Sequence, residues 1–237
     1  MSMTHFPRGL TTAAAGSTLG EYGAPDPTKW HTFFDDFDKY TAGDWVIQTT
    51  EAGGGSATEA LADVDGGVLL ITNDVADNDN DFFQWAGGAG ATTETFKFEV
   101  GKRLIFKMRF AVNEVLQSDV VLGLQITDTT PLAVSDGVYF LKSDGAATTD
   151  FIVAKGSTLT TTSSVATLVN DTYVVLGFAY DGVDNIDIFV DDVRVGSSVT
   201  TNLPDDEELT ISFGIQQGEA TNAKTLSVDY IFVAKER

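Results

Sequence analysis

The stretch Leu104-Ile105-Phe106-Lys107-Met108-Arg109-Phe110-Ala111-Val112 decides how the rest of the chain is read. Leu104, Phe106, Met108, Phe110 and Val112 alternate with positions that include Lys107 and Arg109. A period of two puts successive side chains on opposite faces, so this is a strand with one buried side. The same rhythm recurs outward from it. Leu209, Ile211, Phe213 and Ile215 alternate with Thr210, Ser212, Gly214 and Gln216. Ile186, Ile188 and Val190 alternate with Asp187 and Asp191, and Leu226, Val228, Tyr230 and Phe232 with Ser227, Asp229, Ile231 and Val233. Further strands are expected near 33–37, 45–49, 68–72, 82–85, 96–100, 120–127, 137–141, 151–154 and 173–180. Only 113–118 could make a helical turn.

Asp65-Gly66-Gly67, Asp136-Gly137, Asp144-Gly145 and Asp181-Gly182 supply residues that tolerate positive φ in turns. A dozen short strands at regular spacing predict an all-β fold, a two-sheet antiparallel jelly-roll sandwich over residues 31–237. Residues 1–30 read differently. They hold three of the five prolines, several glycines, and a net charge of zero. That composition predicts an extended N-terminal arm. Phe6, Arg8, Leu10, Leu19, Tyr22 and Trp30 are its candidate contact residues for a partner surface.

The 237 residues carry 14 Lys plus Arg against 35 Asp plus Glu, a formal net charge of −21. With the arm neutral, all of it sits on the body. Nucleic acid and anionic membranes are therefore unexpected partners. The absence of cysteine excludes disulfides, thiolate metal sites and a cysteine nucleophile. No apolar run approaches membrane-helix length, and the first residues lack the pattern of a secretory signal.

Trp30-His31-Thr32-Phe33-Phe34-Asp35-Asp36-Phe37 and the following Gly43-Asp44-Trp45 resemble the opening strands of concanavalin A-like, laminin-G-like sandwiches. Asn185 to Gly196 looks like that superfamily's hairpin, and Leu226 to Val233 like its last strand, which typically pairs near the first. Pro7-Arg8-Gly9 and Asp26-Pro27-Thr28-Lys29 ahead of such a sandwich resemble a group of tailed-bacteriophage virion proteins. That resemblance implies a structural virion protein on the capsid exterior, a decoration or cement protein. It would dock through its arm on the major capsid protein and form a homo-oligomer, a trimer by family analogy. The alternative is a carbohydrate-binding laminin-G-like module, on the virion or secreted, with a host-surface glycan as its partner.

The fold also hosts glycan hydrolases, whose paired carboxylates would sit on alternate positions of one strand. No Glu-x-Asp-x-Glu string occurs, so no catalytic residue is assigned and the expectation is that the chain is not an enzyme. No cofactor is expected. Asp77, Asp79 and Asp81 are the metal candidates, because alternating Asp and Asn oxygens suit calcium. Phe82 and Gly88 stand where an EF-hand needs Gly and Glu, so the stretch is not an EF-hand. The remaining readings are a looser calcium loop and a polar connection. Trp30, Trp45 and Trp85 could form a sugar platform, or could be core-rim residues. Lys102, Arg103, Lys107 and Arg109 are the body's one basic cluster, either an exposed sheet face or a patch for acidic neighbours in an assembly.

Overall fold

The computed structural model describes residues 28–64, 66–87 and 93–237. The strands are β1 (Trp30–Asp35), β2 (Trp45–Thr50), β3 (Thr58–Leu61), β4 (Leu69–Thr72), β5 (Asn80–Trp85), β6 (Leu104–Val112), β7 (Ser118–Gln125), β8 (Gly137–Lys142), β9 (Thr148–Lys155), β10 (Thr158–Thr167), β11 (Val174–Tyr180), β12 (Asn185–Val190), β13 (Val193–Val199), β14 (Thr210–Gln217) and β15 (Thr225–Glu236). They form two antiparallel sheets packed face to face, a jelly-roll sandwich. One sheet runs β13-β12-β11-β6-β15-β4-β3, with β1 also paired to β15. The other runs β10-β9-β8-β7-β14-β5-β2. First and last strands pair, Trp30 opposite Glu236. Trp30 thus opens the sandwich, whereas Phe6, Arg8, Leu10, Leu19 and Tyr22 lie outside the described residues.

The alternating rows meet between the sheets. Leu104, Phe106, Met108, Phe110 and Val112 pack there with Ile211, Phe213 and Ile215, all buried. Each such side chain contributes about 1.5–3 kcal/mol of burial. Aromatic rings fill the middle: Phe83 stacks on Phe213 at 5.3 Å, and Trp45 meets Phe213 and Trp85 edge-on at 5.2 Å each. Trp45 and Trp85 are therefore core residues. Trp30 lies on the far side of the eight-stranded sheet beneath the Arg103 guanidinium, at 5.3 Å, so the three indoles share no platform.

Several expectations are corrected. β15 does not keep one phase: a register shift between Val228 and Tyr230 turns Ile231 and Val233 inward. Tyr230 and Phe232 consequently face outward. Residues 96–100 form isolated bridges rather than a strand, and residues 113–118 make no helix. The polar strands β3, β10 and β13, which the apolar rhythm does not announce, occupy sheet edges. The Asn185–Gly196 hairpin is present, with Asp191 and Asp192 at φ 49° and 64° in its two-residue turn.

Candidate functional site

The sheets leave two outer faces. On the eight-stranded one, the basic cluster is already engaged: Lys107 pairs with Asp192 at 2.6 Å, Arg103 with Glu236 at 2.6 Å, and Arg109 with Asp229. Three of its four cations are thus paired with carboxylates of the chain, while Lys102 donates to the Arg237 carbonyl.

The outer face of the seven-stranded sheet is organised in cross-strand rows. One runs Gln48–Phe82–Gly214–Val121–Leu141–Asp150. The next runs Val46–Gln84–Ser212–Gly123–Tyr139–Ile152. Glycines make room for aromatic neighbours: a Cβ on Gly214 would lie 2.5 Å from Phe82 Cδ1, and one on Gly123 would lie 2.6 Å from Tyr139 Cβ.

Phe82, Val121, Tyr139, Ile152 and Ala154 would form an apolar floor, but the chain covers it. The segment 126–136, between β7 and β8, crosses this floor and packs Ile126, Leu132 and Val134 onto it. Buried amides tie the strap down. Gln84 Nε2 donates to the Asp128 carbonyl at 2.6 Å, and its Oε1 accepts from the Asp128 N–H at 2.9 Å. Gln125 Nε2 donates to the Pro131 carbonyl at 2.9 Å. At the far end of the strap, the Gly156 N–H donates to Asp136 Oδ1 at 2.9 Å.

The end of the face beyond the strap stays accessible, the row Thr50–Asn80–Gln216–Asp119, with Gln48 beside it and Asn78 at its rim. These side chains are half-buried or exposed and hydrogen-bond loosely among themselves. Gln216 Nε2 donates to Asn78 Oδ1 at 3.2 Å, and Asn80 Nδ2 to the Asn78 carbonyl at 3.3 Å. Asp119 Oδ1 accepts from the Asp144 N–H at 2.8 Å. Burial, and then the Asp144 carboxylate, hold Asp119 above its ordinary value, against that hydrogen bond and Lys142. Amides and a carboxylate on a flat strand surface present paired donors and acceptors, the chemistry that recognises hydroxyl pairs. The outward alternation of β14 was visible in the sequence. Its juxtaposition with Asn80 and Asp119 was not, because it depends on strand register.

The acidic stretch 77–81 lies elsewhere. Asp77 is exposed, while Asp79 and Asp81 are buried on the inner side. Among the described residues, no group of three or more His, Asp or Glu side chains is arranged to hold a metal. Asp79 Oδ1 accepts from the Ala52 N–H at 2.5 Å, and Asp81 Oδ1 from the Thr49 hydroxyl at 2.7 Å.

No protein-family description and no curated protein matches the chain. Solved structures do. The non-specific endo-β-1,3(4)-glucanase SCLam of family GH16 is 12% identical over 90% of this chain and 94% of its own, with a TM-score of 0.61. A prokaryotic β-1,3-1,4-glucanase (lichenase) from a mouse hindgut metagenome is 13% identical over 86% and 98%, TM-score 0.60. An endo-β-1,4-glucuronan lyase from Trichoderma reesei is 12% identical over 85% and 94%, TM-score 0.54.

The fold is a two-sheet jelly roll like that of these glucanases and this lyase.

At these identities the likeness speaks for the fold. It nevertheless overturns the expectation that the chain is not an enzyme. That expectation rested on one missing carboxylate string, yet this scaffold carries both glucanases and a lyase.

Proposed function

We propose that this chain is a carbohydrate-active jelly-roll domain that holds a polysaccharide along the open end of its seven-stranded sheet. The observation that carries this reading is the row Thr50–Asn80–Gln216–Asp119, an accessible amide and carboxylate strip beside a strapped-over apolar floor. The likeness to glucanases and a glucuronan lyase supports the choice of ligand class. The glycan reading, carried first as the alternative to a capsid-decorating role, thereby becomes the leading one; none of these three structures is a virion protein.

In this arrangement Gln48, Asn80 and Gln216 would take sugar hydroxyls through paired donors and acceptors. Asp119, whose carboxyl burial holds above its ordinary value, would accept from a ring hydroxyl. The test is calorimetric titration with soluble β-1,3-, mixed-linkage and β-1,4-linked glucans and with glucuronan, alongside an assay of chain cleavage. Saturable binding is expected, weakened about tenfold or more in Asn80→Ala/Gln216→Ala, the loss of two hydrogen bonds at about 1 kcal/mol each. Unchanged binding by that folded double variant, or no saturable binding to any of these polymers, would refute the assignment.

A further inference from the structure

β2 and β3 are edge strands of opposite sheets. Asp81 projects inward from β5, opposite Ile215 on one side and Thr49 on the other. Glu59 lies on β3 in register with the core residue Ile71. The two side chains thus come from opposing sheets, and their carboxyls meet within hydrogen-bonding reach. Asp81 is fully buried and Glu59 half-buried.

Two carboxylates cannot share such a contact as anions without a donor or cation between them. Among the described residues, the groups facing the pair offer no cation. From β2 come the Thr49 hydroxyl, already given to Asp81 Oδ1, and the Glu51 carboxylate. From the segment before β2 comes the Tyr40 hydroxyl, buried and without a partner. From the residue just before β5, two positions away, comes Asp79, whose Oδ2 also lacks a partner. The buried ammonium of Lys224 is paired with Glu219 at 2.6 Å. Lys142 points inward from β8, separated from Asp81 along the cross-strand row by Val120 and Ile215. Asp81 Oδ2 therefore finds no donor in the fully ionised protein.

We propose that Asp81 and Glu59 share one proton, and that this carboxyl–carboxylate hydrogen bond is a pH-sensitive clamp closing the β2/β3 side of the sandwich. Burial, followed by the Glu59 and Glu51 carboxylates, pushes Asp81 up to about 7, against the Thr49 hydroxyl. The direction of the coupling follows from where the proton is bound. With β3 lifted away, Asp81 is an ordinary carboxyl that has lost its proton above about pH 4. Closed, it keeps the proton toward neutrality. Closure is therefore favoured fully at low pH, weakens as pH rises from about 4 to about 7, and changes little above that.

The clamp also touches the proposed glycan strip. Gln48 and Thr50 flank Thr49, and Asn80 precedes Asp81, so an opening edge would disorder the row that holds the sugar. This consequence rests on the glycan reading; the clamp itself does not.

The experiment is amide hydrogen exchange of the whole chain at pH 6 and pH 8, in EDTA, corrected for intrinsic rates. Protection of the β3 and β4 amides is expected to fall about tenfold between these pH values, relative to β7 and β14. That figure follows from the proton held by the closed form and lost by the open one. Asp81→Asn, which keeps the shape but cannot ionise, is expected to hold equal protection at both pH values. A carbon-13 NMR titration of the wild-type carboxyls reads the same proton without any variant. Equal wild-type protection at pH 6 and 8, an Asn variant that opens as the wild type does, or an Asp81 carboxyl that titrates wholly below pH 5 would each overturn the proposal. None of these readouts involves a glycan, so a failed clamp and a failed glycan assignment are told apart.

Discussion

Lys142→Met is expected to stabilise this protein at neutral pH. Lys142 sits at the end of β8 with its side chain turned between the sheets and almost wholly buried. Its ammonium donates to the Ser118 carbonyl and reaches the Ser118 hydroxyl at 3.4 Å. No carboxylate pairs with it directly. Asp119, Asp144 and Glu114 favour the charge from a distance, but burial outweighs them and pulls the ammonium down from 10.5 to about 8. Each pH unit corresponds to about 1.4 kcal/mol, so holding the charge costs the fold on the order of 3 kcal/mol. Methionine has a similar length and no charge to desolvate. Part of the gain is offset by losing the bonds to Ser118, each worth about 1 kcal/mol or somewhat more. A net gain of about 1–2 kcal/mol is expected at pH 7, raising the melting temperature by roughly 2–8 °C for a domain of this size.

The pH dependence gives the sharper check. Between about pH 8 and 10.5, the unfolded wild-type chain binds a proton that the folded one does not, so wild-type stability rises with pH across that window. The advantage of the methionine variant should therefore shrink as pH approaches 10.5. Denaturant melts of both proteins at pH 7 and pH 10 measure it. A variant less stable than wild type at pH 7, or a gap of equal size at both pH values, would refute the reasoning.

Two further outcomes bear on the seven-stranded sheet. Gln84→Ala removes both hydrogen bonds to the half-buried Asp128 backbone, at roughly 1–3 kcal/mol; limited proteolysis should then cut within 127–135 faster than in wild type, and an unchanged pattern would show that the apolar contacts alone hold the strap. Gly214→Ala would put a Cβ 2.4 Å from the Asp81 carbonyl oxygen and 2.5 Å from Phe82 Cδ1, so a loss of about 1–3 kcal/mol is expected in a thermal melt, and a melt like that of wild type would mean that β5 shifts freely.

The strap has a consequence for how the scaffold is used. Glucanases and a lyase share this fold with the chain, but here Tyr139, Phe82 and Val121 are covered by Leu132 and Val134. The strapped-over floor is therefore closed to a polysaccharide unless residues 126–136 move, and the proposed strip of Asn80, Gln216 and Asp119 lies beyond it. The Pro131 carbonyl and both backbone groups of Asp128 would have to give up their amide partners for that to happen.

Local sequence determined the all-β class and the inward row of β6, because alternation against a water-free face is a short-range pattern that needs no knowledge of partners; the Asn185–Gly196 hairpin was legible through resemblance. It misassigned the faces of β15, because one extra residue near Asp229 reverses the phase and leaves no mark on composition. Its silence on β3 and β10 has a similar cause: edge strands gain their hydrogen bonds from a neighbour rather than from apolar burial of their own. Tertiary structure alone decided what stands opposite what. Asp79 and Asp81 read as calcium-loop oxygens, yet strand register buries both and brings Asp81 against Glu59 on the other sheet. The strip proposed to hold a glycan likewise exists only because β2, β5, β14 and β7 align Thr50, Asn80, Gln216 and Asp119. These residues are far apart in the chain, and only the closure of long loops sets their distance.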